Sequence, residues 1–374
     1  MSNGRLKTAC LASVMTVALS AGSMLTAPVL AAPALMDGHK TTAPSATITR
    51  DGDTYKLTQT IPSFSDFILI ETQMGKIAPR VVTVDQMADD LAGYDVVFVG
   101  EAHGHVASHL VQSKLFAGLY ARGKNLSLSM EQFERSAQPI MDQYLAGEIG
   151  EQALRDKGKA WDHYTSSYRP MVELAKREGL PVIAAEVPGN MVSCVGEEGP
   201  AFLDRLTGEP RTWIADKLHL DDGPYKTRYF DFMARAAGHN VSDADMTEAE
   251  KEEKRFRSFA AQVSRDDTMA ESIYLHLQKN PGRKVMHIDG SFHSAALLGT
   301  VERLKIRMPE LKLANVHPIL VEDPNNVTFD ASMVGEGHYI VLLQPVPRRF
   351  VKMSNINEFI KKTRSKIDEN RCAY

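Results

Sequence analysis

Cysteine is scarce in this chain, with only Cys10, Cys194 and Cys372 among 374 residues. No two stand as Cys-x-x-Cys, which removes paired-cysteine zinc sites and thioredoxin-like redox chemistry. Also missing are a Walker loop, a Gly-x-Gly-x-x-Gly fingerprint and a Gly-x-Ser-x-Gly elbow, so nucleotide-phosphate cradles and serine-hydrolase chemistry are disfavoured. No basic stripe offsets a formal charge of −4, and taking away Arg5 and Lys7 makes it −6. A nucleic acid is therefore not an expected partner. Charge itself is missing from residues 8–30, and that absence is informative.

Arg5 and Lys7 precede this uncharged run, and Ala31, Ala32 and Ala34 follow it. Basic, apolar and then small residues are the order of a secretory signal peptide, assigned here to residues 1–31. The expected location is exported, either periplasmic or cell-surface. Cys10 does not make the leader a lipoprotein signal, because Lys7 stands where lipidation wants an apolar side chain. Without the leader, Cys194 and Cys372 remain as one disulfide or two free thiols, and spacing does not choose between them.

With 43% hydrophobic and 24% charged residues, the body can bury a sizeable core. Residues 32–80 read as an N-terminal extension with a short hairpin around Asp51-Gly52-Asp53. Over 81–350 the pattern alternates: strands at 95–99, 126–130, 181–185, 284–289, 313–319 and 339–344, with helices at 84–91, 105–121 and 295–305 among others. Charge-rich residues 197–280 read as a helical insertion or cap, with 247–258 a solvated face. Residues 351–374 are a C-terminal tail. This alternation predicts an α/β fold, a mostly parallel sheet flanked by helices.

Two of those strands leave in the same way. Val96-Val97-Phe98-Val99 runs into Gly100-Glu101-Ala102-His103, and Val285-Met286-His287-Ile288-Asp289 runs into Gly290-Ser291-Phe292-His293. A glycine at a strand exit permits a sharp turn, which sets an imidazole above the sheet edge. Ligands in such sheets bind outside the strand carboxyl ends, where Glu101, Glu131, Glu186 and Asp289 are also expected. Imidazoles with carboxylates suit a metal, haem or acid/base site. Asp266 and Gln262, one helical turn apart, could overhang the same rim, or Asp266 could form a surface ion pair with Arg265. His105 and His109 are expected as exposed helix histidines, and His287 as a hydrogen-bonded core histidine. Trp161, His163, Tyr164 and Tyr168 form an aromatic stripe suited either to packing or to a flat macrocycle.

Taken in order, Val99-Gly100-Glu101-x-His103, Met130-Glu131-Gln132-Phe133, Trp161, Tyr168-Arg169-Pro170, Ala184-Ala185-Glu186-Val187-Pro188, Asp266-x-x-Met269-Ala270 and Gly290-x-x-His293 resemble the ChaN-like haem-binding uptake proteins. These share a superfamily with Tiki metalloproteases, TraB-like proteins and erythromycin esterases. The resemblance implies haem or iron uptake and a site on Glu101, His103, Glu131, Asp266 and His293. It departs at Glu186, where many relatives carry Asn. Two functions follow as expectations. In the first, haem is held with His103, His293, Tyr164 or Tyr168 as iron ligand and Arg169 at a propionate. Outer-membrane uptake machinery and a homodimer are the implied partners. In the second, Zn or Mn held by the same His/Glu/Asp set serves a peptidase or esterase, with Glu101 or Glu131 taking the proton of bound water. A third reading is a hydrogen-bonded network that only pins the strand exits.

Overall fold

The computed structural model describes residues 46–237, 246–364 and 372–374. The leader assigned to residues 1–31, with Cys10, lies outside them. Ile48–Asp51 (β1) and Thr54–Leu57 (β2) form the hairpin. Phe67–Glu71 (β3) and Arg80–Val82 (β4) follow. Thr83 then opens Val84–Leu91 (α1) with a capping box, its hydroxyl taking the Gln86 N–H while the Gln86 side chain accepts the Thr83 N–H. Val96–Glu101 (β5) and Val106–Arg122 (α2) come next, then Leu126–Glu134 (β6). Helices Gln138–Leu145 (α3), Glu151–Lys157 (α4), Tyr164–Ser167 (α5) and Arg169–Glu178 (α6) lead to Val182–Glu186 (β7).

Gly189–Glu198 (α7) starts ahead of the helical insertion, which Gly208–Arg211 (α8), Pro224–Ala237 (α9) and Glu248–Lys279 (α10) fill. Its last helix runs 32 residues, and residues 248–255 are mostly exposed while Phe259 to Leu277 is largely buried. Lys284–Gly290 (β8) leads through two single 3-10 turns to Thr300–Arg307 (α11). The continuous helix expected over 295–305 is therefore broken: Ala296 and Leu297 have positive φ of 56° and 60°, which an α-helix does not accommodate. Leu313–Leu320 (β9), Thr328–Asp330 (β10), Tyr339–Leu343 (β11) and Met353–Arg364 (α12) complete the chain.

The main sheet has the order β4-β3-β11-β9-β5-β8-β6-β7, parallel from β11 to β7 and antiparallel at β3 and β4. The α/β class holds, with a mixed edge that periodicity missed. β3 also shows that the main sheet starts inside the stretch read as an extension. Strands β5, β7 and β11 are buried along their whole length, as continuous apolar runs demand when helices cover both faces. On one face α2 and α6 pack Leu115, Phe116, Met171 and Val172 against β5, β6 and β7. On the other, α10 and α11 bring Met269, Ile273, Val301 and Leu304 onto Val96, Phe98 and Val285. Cys194 and Cys372 are joined as a disulfide.

Candidate functional site

Four neighbouring strands, β5, β8, β6 and β7, end together. Adjacent strands lie about 4.8 Å apart, and the register sets Gly100 opposite Asp289 and Glu101 opposite Gly290. An irregularity in β6 between Met130 and Glu134 carries that strand past its predicted end, with Glu131, Gln132 and Phe133 all buried. Glu101, Glu131 and Glu186 thereby reach one rim.

Glu101 is buried and fully engaged. Its Oε1 accepts the Tyr168 hydroxyl at 2.6 Å and meets His103 Nδ1 at 2.7 Å, while Oε2 accepts the Gln112 amide at 2.9 Å. Burial lowers the pKa of His103, but the Glu101 bond and the charges of Glu131 and Glu101 outweigh it and leave the pKa raised. His103 stacks edge-on to Trp161 at 5.2 Å. Its Nε2 has no hydrogen-bond partner among the described residues, and it lies beside Gly290: a Cβ there would stand 2.7 Å from it.

Glu131 occupies the other side of Gly290. Its Oε2 accepts the Gly290 N–H in a short bond, and Oε1 accepts Arg265 Nη2 at 2.6 Å and lies 4.0 Å from His293 Nε2. Burial opposes its charge, yet Arg265, His293, His103 and the Gly290 N–H hold its pKa down at about 2. Arg265 also clasps Glu186 through Nε at 2.8 Å and Nη2 at 2.5 Å. Burial and the nearby Glu131 raise the Glu186 pKa despite that guanidinium. Asp266, next on α10, is wholly buried: Oδ1 meets His293 Nδ1 at 2.8 Å and Thr300 Oγ1 at 3.0 Å, and Oδ2 accepts the Tyr225 hydroxyl at 2.5 Å. A surface ion pair with Arg265 is ruled out.

The five residues of the expected metal set share the rim, but as separate pairs. Among the described residues no three His, Cys, Asp or Glu side chains converge where a metal ion could sit. The reason is local: Glu101, Glu131 and Asp266 each spend their oxygens on protein donors. His105 and His109 are not exposed helix histidines. His105 is the buried N-cap of α2, Nδ1 accepting the Ala107 N–H at 3.2 Å, and buried His109 bonds Gln112 Oε1 at 3.0 Å. Each takes a polar partner that helical spacing does not reveal. His287 is a core residue bonded to Ser129 at 2.8 Å. Tyr164 is buried, its hydroxyl without a partner among the described residues, and burial raises its pKa. Arg169 pairs with Glu151 through Nε and Nη2.

Sequence reasoning missed Arg265, Gln112 and Tyr225. Arg265 was in view only as a foil for Asp266, because consecutive helical residues diverge by about 100°. Beside Trp161 opens a cleft of about 260 Å³ lined by Glu131, Glu134, Lys159, Glu186, Val192 and Arg265.

No curated protein matches the chain by sequence. In structure the chain is similar to ChaN of Campylobacter jejuni, solved to describe cofacial heme binding, at 15% identity and a TM-score of 0.53, covering 75% of this chain and 98% of that one. It is more distantly similar to a mutant of the erythromycin esterase EreC in its open conformation, at 13% identity and a TM-score of 0.38, covering 79% and 87%. The first likeness shows the fold alone. The sequence model described as "Haem-binding uptake, Tiki superfamily, ChaN" matches residues 87–304, more than half of the chain, and the protein belongs to that family.

Proposed function

We propose that this protein binds haem at the carboxyl-end rim, with the imidazole of His103 as the iron ligand, and that it serves haem or iron uptake after export. One observation carries the ligand choice. Of the four candidates, His103 alone has an open side chain, 49% exposed against 5% for His293, while Tyr164 and Tyr168 are fully buried. A carboxylate behind Nδ1 fixes the ring and its tautomer, which leaves Nε2 as the lone-pair nitrogen. When bound, haem would supply an iron centre that His103 would hold through that nitrogen.

The chain's own residues do the rest. Glu101, held by Tyr168 and Gln112, orients His103; Trp161 offers an aromatic edge; Lys159, paired with Glu134 at 2.9 Å but 65% exposed on the cleft, would meet a propionate there, whereas Arg169 is held by Glu151 through two nitrogens and does not line the cleft. The leader pattern and the disulfide support export. A metal-dependent hydrolase is not favoured, because among the described residues no three of its candidate ligands converge and the oxygens of Glu131 and Asp266 are taken by protein donors.

Titration with hemin should give a saturable Soret shift that His103→Ala removes and that dissolved imidazole partly restores. Equal affinity in the variant would sink the assignment. Only neutral imidazole ligates iron, and the His103 pKa is raised above 6.5. Affinity is therefore expected to strengthen as pH rises through that raised value, whereas a flat profile from pH 6 to 9 would contradict it.

Gly290→Ala tests the same geometry without touching a ligand. The backbone there, at φ −62° and ψ 135°, accepts alanine, but the new methyl would lie 2.7 Å from His103 Nε2 and 2.9 Å from Cε1. The ring must leave Glu101. Hemin affinity is expected to fall about tenfold, roughly the worth of one charge-assisted hydrogen bond, with a small change in the urea midpoint. Unchanged hemin binding would show that the ring's place beside Gly290 is irrelevant.

A further inference from the structure

Beyond the haem reading, and independent of it, we infer that the C-terminal segment around α12 docks on an anionic lipid surface. Its apolar residues Met353, Ile356 and Phe359 recur every three positions, the spacing of one helical stripe. Two of the three are exposed, Met353 at 68% and Phe359 at 40%, with Ile356 half-buried, and Val351 just before the helix is 85% exposed. Large exposed apolar side chains at consecutive surface positions mark an interaction face.

Charge identifies the occupant. Residues 348–364 contain Arg348, Arg349, Lys352, Lys361, Lys362 and Arg364 against the single acid Glu358, in a chain whose formal charge is −4 overall. Arg349 lies over the rings of Phe350 and Phe359, at 5.5 and 4.4 Å, so cationic and apolar groups share one surface. A basic, amphipathic helix is the form that lies in a lipid interface, apolar side down among the acyl chains and basic groups at the phosphates. With 12 residues it is far too short to cross a bilayer, and no helix among the described residues is long and apolar enough to do so. Both flanks are tied to the body, by β11 before it and by the Cys194–Cys372 disulfide after it. Docking would hold the whole protein at the membrane surface.

The test uses the full chain, disulfide intact, sedimented with vesicles of phosphatidylcholine alone or mixed with phosphatidylglycerol. Binding to the anionic vesicles is expected, weakening as salt is raised. Val351→Glu with Met353→Glu should lower the bound fraction about tenfold, and Arg348→Glu with Arg349→Glu should weaken binding and flatten its salt dependence. The apolar run at residues 8–30 is common to all variants, so these differences isolate α12. Both apolar positions are exposed, and an unchanged urea midpoint would confirm that the fold survives. Equal binding by the variants, or by neutral vesicles, overturns the inference. So does a lipid-free dimer that the glutamate pair dissociates, which would make a second copy the occupant.

Discussion

Arg265→Met is expected to destabilise the fold by about 3 kcal/mol at pH 7, the lower end of what breaking a buried ion pair costs. The guanidinium stands between Glu131 and Glu186, both buried, and methionine fills much of its volume while removing the cation that bridges the two carboxylates, leaving His293, 4.0 Å from Glu131, as the remaining ion-pair partner among the described residues. The lower end applies because the Arg265 side chain keeps 28% exposure, so water can enter and screen part of the repulsion. The pH dependence carries the sign. Glu186 already has a raised folded pKa and would rise further without Arg265, while Glu131 would lose the largest of the charges that hold its pKa down, so the penalty is present when the acids are ionised and shrinks as pH falls and Glu186 takes up its proton. Urea midpoints of wild type and variant should thus draw together between pH 7 and pH 4. Adding Glu186→Gln to Arg265→Met should recover part of the loss at pH 7. A variant as stable as wild type at pH 7, or a gap independent of pH, would show that the arginine is not what keeps these acids charged.

That arginine also marks where the sequence stopped being legible. Strand exits are written locally: an apolar run, a glycine and a turn predict where Glu101 and His293 sit, because strand geometry and a carboxyl-end rim fix them within a few residues. The parallel order β5-β8-β6-β7 then brings the four ends together, as βαβ alternation implies. What pairs with what is not local. Whether Glu131 meets His103 or Arg265 depends on how α10, whose Arg265 comes 134 residues later, lies across the sheet, and on an irregularity in β6 that buries successive residues. Hence the acids and histidines were assembled at the right rim as one ligand shell, while the structure resolves them into a Glu101–His103 unit and a Glu131–Arg265–Glu186 clasp with the Asp266–His293 pair behind it. β4, with three residues, is too short for periodicity to distinguish from loop, and β3, as long as β7, lies in the stretch read as an N-terminal extension.

The Asp266–His293 pair supplies the second large effect, a fall in stability on the alkaline side. Burial disfavours the imidazolium, but the Asp266 charge, its hydrogen bond and Glu131 outweigh that and raise the His293 pKa to about 9. A histidine whose folded pKa exceeds its unfolded value contributes stability that is complete below about pH 6.5 and is lost as pH rises through 9. The shift corresponds to about 3 kcal/mol, and His293 is buried enough for little of it to be screened. On the acid side the sign reverses. His276 and His338 have pKa values lowered by burial to about 4, and His287 to about 3, so the unfolded chain takes up protons below pH 6.5 that the folded chain refuses. Stability is therefore expected to peak near pH 6.5–7. Asp266→Asn should remove the alkaline limb while leaving the acid one, because His293 loses the charge that holds its proton. Urea midpoints from pH 5 to 9.5 for both proteins read this directly, and a wild-type profile as flat as the variant's between pH 7 and 9 would mean that His293 is neutral in the fold. Such a neutral His293 would return the ring to the pool of available ligands, whereas a charged one is held by Asp266 and leaves His103 to meet iron alone.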